Sequence, residues 1–266
     1  MSAAPTPHAA NALTCSNLSV AIAQRVLVRE LSFTVPSGSI TCLLGINGAG
    51  KTLTLHTLAG LREPAAGTVR IHDRDLTRWP GRELATRLGL LTQTTEDPFP
   101  STVLETVLIG RHPHIGFWQW ESEHDEQLAR AALAAVDLAA FEPRDVASLS
   151  GGERRRVAIA TLLAQDPAVM LLDEPINHLD PHHQVQVLRL LRSLANNGRT
   201  VVMSLHDAGL AARYADHALL LFGTGEWRFG PVADVLNESS LSQLYGTRMR
   251  QIKWEDGRTF VAAIER

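Results

Sequence analysis

The run Gly45-Ile46-Asn47-Gly48-Ala49-Gly50-Lys51-Thr52 constrains this chain more than any other stretch. It fits the pattern G-x-x-x-x-G-K-[ST] at every position. Its flanks agree with that pattern. Ile40 to Leu44 is a short apolar run that reads as a buried strand, and Leu53 to Ala59 reads as a helix. A glycine-rich turn between strand and helix points several backbone N–H groups into one concavity, and the helix N-terminus adds its positive end. Such a concavity favours a polyphosphate. In that geometry Lys51 neutralises the β- and γ-phosphates and Thr52 offers a hydroxyl to Mg²⁺.

The rest of the chain has the size and composition to build a fold around that loop. It has 266 residues, enough for a large core with one or two subdomains. Apolar residues make up 45% and charged residues 20%, the composition of an ordinary folded protein. A net charge of −3 gives no hint of a nucleic-acid partner. Only Cys15 and Cys42 are present, and both read as reduced thiols of a cytosolic protein. Met1 to Ala12 lacks the basic and apolar regions of a signal peptide and reads as a flexible N-terminus (residues 1–12). No apolar run approaches the roughly 18 residues of a membrane span, so any work at a membrane goes through a partner.

Element types are ordered along the chain. Leu18, Val20 and Ile22 alternate, as do Leu31, Phe33 and Val35, so residues 13–37 read as strand–turn–strand, and residues 67–72 add another strand. These predict a small antiparallel layer. Leu88 to Thr92 reads as a strand ending at Gln93. Thr102 to Gly110 and His124 to Leu138 read as helices, giving a helical insert over about 94–165. Val169 to Leu172, Thr200 to Leu205 and Ala218 to Phe222 are apolar runs between helical stretches, the signature of a parallel sheet. The expected fold is α/β: a phosphate-loop core with a mixed sheet, an antiparallel β subdomain and a helical insert, as one domain over 13–258. The last forty or so residues read as a strand turn, two short helices and a closing hairpin.

Two further motifs carry chemistry. In Val169-Met170-Leu171-Leu172-Asp173-Glu174, four apolar residues form a buried strand and two acids follow at its C-terminal end. Ligands bind at that end in open α/β sheets. Asp173 is placed to bind Mg²⁺ and Glu174 to polarise an attacking water. In Leu149-Ser150-Gly151-Gly152-Glu153, Ser150 and Glu153 satisfy a capping box that starts a helix running to Ala164. Capping alone does not require two glycines in the first turn, where they cost helix stability. Bare N–H groups there let a phosphate approach closely. Arg154, Arg155 and Arg156 follow and read as a solvated basic face ahead of a phosphate contact.

The order of these motifs resembles the ATPase subunit of an ABC transporter. The phosphate loop at 45–52 corresponds to Walker A, 149–153 to the signature, 169–174 to Walker B; His178-Leu179-Asp180 and His206 follow in sequence. The resemblance covers almost the whole chain. It implies that Gln93 touches Mg²⁺ and reports to a membrane partner, that Asp180 meets an opposite subunit, and that His206 contacts the γ-phosphate. Asp180-Pro181 is also a good N-cap followed by proline at the first helical position. The resemblance further implies a head-to-tail homodimer with ATP between Lys51 of one subunit and Ser150-Gly151-Gly152 of the other. Hydrolysis then uses Glu174 to orient water, with Lys51 and His206 stabilising charge. The cofactor set is ATP with Mg²⁺, the metal held by Thr52, Gln93 and Asp173.

Two positions depart from the family pattern. Ile22 stands where an aromatic usually stacks on adenine, which predicts a weaker grip on the base. Ile176 stands where a small polar residue is frequent.

The stretch from Asp173 to Gln184, with single-domain construction, resembles importers of iron-siderophores, haem and cobalamin. Gly110-Arg111-His112-Pro113-His114-Ile115-Gly116-Phe117-Trp118-Gln119-Trp120 looks like that group too. It suits either a docking surface for a permease or a loop packed on its own insert. The implied partners are two integral-membrane permease subunits and, indirectly, a periplasmic or lipoprotein substrate-binding protein, with no nucleic acid. The implied place is the cytoplasmic face of the cell membrane. An exporter subunit and a soluble ABC protein of translation or DNA repair are the alternatives.

Overall fold

The first apolar alternation folds into a long hairpin. β1 (Asn11–Ile22) pairs antiparallel with β2 (Arg25–Pro36), placing Leu18 opposite Leu31 and Cys15 opposite Phe33. The computed structural model describes residues 11–23, 25–93, 100–253 and 259–264. Of the N-terminus expected to be flexible, residues 1–10 lie outside the described residues. Asn11 and Ala12 already belong to β1, because Ala12 is buried in the layer's core.

β3 (Ile40–Leu44) leads through the glycine loop into α1 (Lys51–Leu58). β4 (Ala66–Ile71) returns to pair with the other edge of β1, and β5 (Arg74–Asp75) completes a four-stranded layer of order β2-β1-β4-β5. The short α2 (Gly81–Ala85) precedes β6 (Leu88–Leu91). Then come α3 (Val103–Leu108), a 3-10 run over Ile109–His114, α4 (Glu123–Ala135) and α5 (Gly151–Gln165), which pack on one another. Of the insert expected over 94–165, residues 94–99 lie outside the described residues. The helix expected to reach Gly110 ends as an α-helix at Leu108 and tightens into the 3-10 run, in which Gly110 presses on α5: a Cβ there would lie 2.2 Å from Thr161 O.

The chain then alternates β7 (Val169–Leu172), α6 (Pro181–Asn196), β8 (Thr200–Ser204), α7 (Ala208–Tyr214) and β9 (His217–Leu221). β10 (Trp227–Pro231), α8 (Val232–Val235), α9 (Glu238–Tyr245) and the hairpin of β11 (Met249–Lys253) and β12 (Thr259–Ala263) follow. The main sheet has order β10-β9-β3-β8-β7-β6, parallel except for β10.

This sheet buries both faces, which is why its strands are continuously apolar rather than alternating. Cys42, Met170, Met203 and Ala218 face a cluster that includes α5, α6 and α7. Leu43, Leu171, Val202 and Leu219 face a second cluster containing Leu55 and Leu58 of α1 and the inner side of the antiparallel layer. The C-terminal ends of β3, β7 and β8 are hydrogen-bonded neighbours, so the residues that follow them meet at one edge of the sheet. No helix among the described residues is long and apolar enough to cross a membrane.

Candidate functional site

The glycine loop turns because glycines supply positive φ. Gly48 has φ 78° and Gly50 φ 101°, conformations that strain other residues. Gly50 also lies under Leu27, 3.2 Å from Leu27 Cβ to a hypothetical Cβ, so the hairpin of β1 and β2 rests on the loop. Lys51 is 6% exposed, and its Nζ donates to Gly45 O at 2.8 Å and Ile46 O at 3.3 Å. Burial lowers its pKa, against the pull of Glu174 and Asp173 nearby. A cleft of about 300 Å³ opens above the loop, lined by Asn47, Gly48, Gly50, Lys51 and Thr52, together with Leu27, Leu53, Gln93 and Glu174. Loop, acid and glutamine thus come together across segments far apart in sequence.

Asp173 and Glu174 end β7 as the sequence predicts. Asp173 is fully buried, and its Oδ1 accepts a hydrogen bond from Ser204 Oγ at 2.6 Å. Its Oδ2 is buried with no hydrogen-bond partner among the described residues. A buried carboxylate oxygen left without a partner suits a hard cation such as Mg²⁺, which takes oxygen ligands. Glu174 has φ 50°, left-handed and uncommon for a glutamate. Its N–H donates to Ser204 Oγ at 2.8 Å. Its Oε2 accepts from Gln93 Nε2 at 3.0 Å and from Asn177 Nδ2, and its Oε1 lies 2.7 Å from His206 Nε2.

The capped helix start lies elsewhere. Ser150 Oγ accepts from Glu153 N at 3.3 Å while Glu153 Oε2 accepts from Ser150 N at 2.7 Å, a capping box. These bonds to Ser150 hold the Glu153 carboxyl below its ordinary pKa. A Cβ at Gly152 would lie 2.9 Å from His178 O, so this glycine is needed within the chain; at Gly151 a Cβ would meet open space among the described residues. Asp180 caps α6, accepting from His183 N at 2.9 Å, and is exposed. Ser150, Gly151, Gly152 and Asp180 are not among the residues lining the cleft, and neither is Ile22, which sits 48% exposed at the end of β1.

The three arginines after the signature correct the sequence reading. Only Arg154 is exposed; Arg155 and Arg156 are buried. Arg156 Nη1 donates to Val136 O at 3.0 Å, tying α5 to the end of α4. Arg155 enters the site's own scaffold. Helix phase signals its burial but not this role: Arg155 shares a helix face with Ile159 and Leu162, both buried. Ser204, Asn177 and Leu27 are also site residues that the motifs do not reveal. Ile176 is 6% exposed within the core cluster, so its apolar character serves packing.

The stretch from Gly110 to Trp120 divides in two. Arg111 is buried, with Nε donating to Asp125 Oδ1 at 2.9 Å and Nη1 to Ala164 O at 2.7 Å, and His114 Nε2 lies 2.8 Å from Gln165 O. This half packs on its own insert. Phe117, Trp118 and Trp120 are instead 86%, 89% and 90% exposed.

A phosphate loop flanked by the carboxylates of a neighbouring strand, on a parallel sheet with an antiparallel layer, places the chain among phosphate-loop nucleoside triphosphatases. Comparison with known proteins narrows this. The pattern of the ABC transporter family matches residues 28–177. The achromobactin transport ATP-binding protein of Dickeya dadantii (strain 3937) is 37% identical over 240 residues, 90% of this chain and 89% of that protein. A hemin import ATP-binding protein of Nocardia farcinica (strain IFM 10152) is 43% identical over 84% of this chain and 76% of its own length. A solved ABC transporter, described as being of the metal-chelate type and inward-facing, superposes with a TM-score of 0.84 at 30% identity, covering 96% of this chain and 98% of that one. The chain belongs to the ABC transporter family, as an ATP-binding subunit that hydrolyses ATP.

Proposed function

We propose that this chain powers the import of a metal chelate of the iron-siderophore or haem kind, working as a dimer beneath an integral-membrane permease. One observation carries this reading: relatives matched over most of both chains are named for achromobactin transport and hemin import. The solved transporter of metal-chelate type supports it. The association with the membrane is peripheral, through the permease, at its cytoplasmic face.

The chemistry is in-line attack of water on the γ-phosphate of ATP. Backbone N–H groups from Gly48 to Thr52 and the ammonium of Lys51 hold the phosphates. Glu174, steadied by Gln93, Asn177 and His206, orients the water. Thr52, Asp173 and Gln93 would hold Mg²⁺, which would supply positive charge against the phosphates. Ser204 fixes Asp173 in the rotamer that leaves Oδ2 open.

Ser150, Gly151, Gly152 and Asp180 complete the nucleotide site of the opposite subunit. The open space at Gly151 supports this, since no contact among the described residues demands a glycine there. ATP held by both subunits favours the closed dimer, and hydrolysis releases it. The exposed aromatics Phe117, Trp118 and Trp120 form the permease-docking patch; ATP and permease therefore meet the same insert.

The reading is tested by purifying the tagged chain from detergent-solubilised membranes and reconstituting what accompanies it. Co-purification of a permease, with ATP-dependent uptake of ferric chelates into proteoliposomes, is expected. Co-purification of ribosomes, or ATP-dependent efflux alone, would overturn it.

A further inference from the structure

Arg155 lies in the second turn of α5, the helix that starts at Ser150, and is 5% exposed. Its guanidinium leaves the helix and spans two segments at the sheet edge. Nη1 donates to Thr92 O at 2.6 Å and lies 3.5 Å from Gln93 O. Nη2 donates to Asp173 O and, at 2.9 Å, to Glu174 O, while Nε reaches Pro175 O at 3.4 Å. Burial pulls its pKa down to about 10, with Asp173 and Glu174 opposing, so it stays charged at neutral pH.

Its hydrogen-bond partners in these two segments are main-chain carbonyls. A planar fork with five donors is suited to gathering carbonyls of separate segments, which an ammonium cannot do. The backbone so gathered belongs to Glu174, whose left-handed φ of 50° needs support from its surroundings, and to Gln93, whose side chain holds the Glu174 carboxylate. Arg155 is thus rooted on the helix that carries the signature glycines and fixed to the two residues that set the position of the acid.

We propose that Arg155 is a positioning residue for hydrolysis: it ties the first turns of α5 to the main chain of Gln93 and Glu174, so that a nucleotide contact at Ser150 to Gly152 is transmitted to the carboxylate that orients water. The proposal rests on the hydrolytic roles assigned above. It predicts that the reaction, and not ATP binding, depends on Arg155.

The experiment compares wild type, Glu174→Gln, Arg155→Gln and Arg155→Lys for steady-state ATP hydrolysis, for ATP binding, and for nucleotide-dependent dimer on size exclusion. Arg155→Gln is expected to lose at least about tenfold in kcat with KM changed less than about threefold, and to accumulate as the ATP-bound dimer. Arg155→Lys, which keeps the charge but not the fork, is expected to fall between it and wild type. A merely structural role would lower ATP binding and dimer formation together with the rate. That result would overturn the proposal, as would a kcat within twofold of wild type in Arg155→Gln. Should Arg155→Gln fail to fold by circular dichroism, a wild-type kcat in Arg155→Lys overturns it and a reduced kcat at unchanged KM supports it. An inactive wild type or a fully active Glu174→Gln overturns the hydrolytic reading itself, which separates the two failures.

Discussion

Glu174 and His206 face one another at the sheet edge, with Oε1 of the acid 2.7 Å from Nε2 of the imidazole. The acid follows β7 and the histidine follows β8, neighbouring parallel strands, so the pairing is set by the sheet's register rather than by a loop. Gln93, which follows β6, bonds the other carboxylate oxygen. One carboxylate is therefore held from the strands on both sides of its own, and displacing either holder shifts the group proposed to orient water.

His206→Ala is expected to reduce kcat about 10- to 100-fold while changing the KM for ATP less than about threefold. Phosphate-release kinetics over a range of ATP concentrations check this. A proportional rise in KM at unchanged kcat would place His206 in binding only.

The proposed shared site makes activity depend on protein concentration. Hydrolysis per subunit of the isolated chain should rise with concentration until dimer predominates, because the proposal has Ser150 to Gly152 of one copy complete the loop of another. A turnover per subunit that is flat from nanomolar to micromolar chain would contradict the shared site.

The sequence expectation for Ile22 is apolar contact with the base without a ring to stack on. Ile22→Tyr is expected to tighten ATP binding by about 1 kcal/mol, about fivefold, and to improve ATP over GTP. Titration calorimetry with both nucleotides measures it; unchanged affinities for both would show that Ile22 does not meet the base.

The insert carries its own acid-sensitive lock. The Ser122 hydroxyl, then Arg111, hold the Asp125 carboxyl down to about 2 from 3.8. A depressed folded-state pKa stabilises the protein above the unfolded value, and that contribution fades as pH falls from about 4 toward 2. Asp125→Asn should therefore cost about 2 kcal/mol at neutral pH, lowering Tm by roughly 4–8 °C. Thermal scans at pH 7 and pH 3 check this: the gap from wild type should narrow at the lower pH.

The phosphate loop, the acidic pair and both helix caps were legible in the sequence because each depends on residue types a few positions apart. Gly48 and Gly50 announce positive φ, and Ser150 with Glu153 or Asp180 with Pro181 announce a helix start. Ser204, Asn177 and Arg155 were not legible as site residues. Their roles come from contacts made only once strands align, such as Arg155 with Thr92 across 63 residues. The run Arg154-Arg155-Arg156 read as solvated because charge outweighed helix phase, yet the phase alone places Arg155 above Ile159. The aromatic stretch had two readings because its halves differ: Arg111 and His114 pack inward while Trp118 and Trp120 face out.

We assign to Glu174 the orientation of the attacking water, in a site that binds ATP without it. Glu174→Gln tests this most directly when hydrolysis and ATP binding are measured on the same preparation. ATP binding within about threefold of wild type, hydrolysis reduced at least about 100-fold, and accumulation of closed dimer are predicted. Hydrolysis at the wild-type rate by Glu174→Gln would show that another group orients the water.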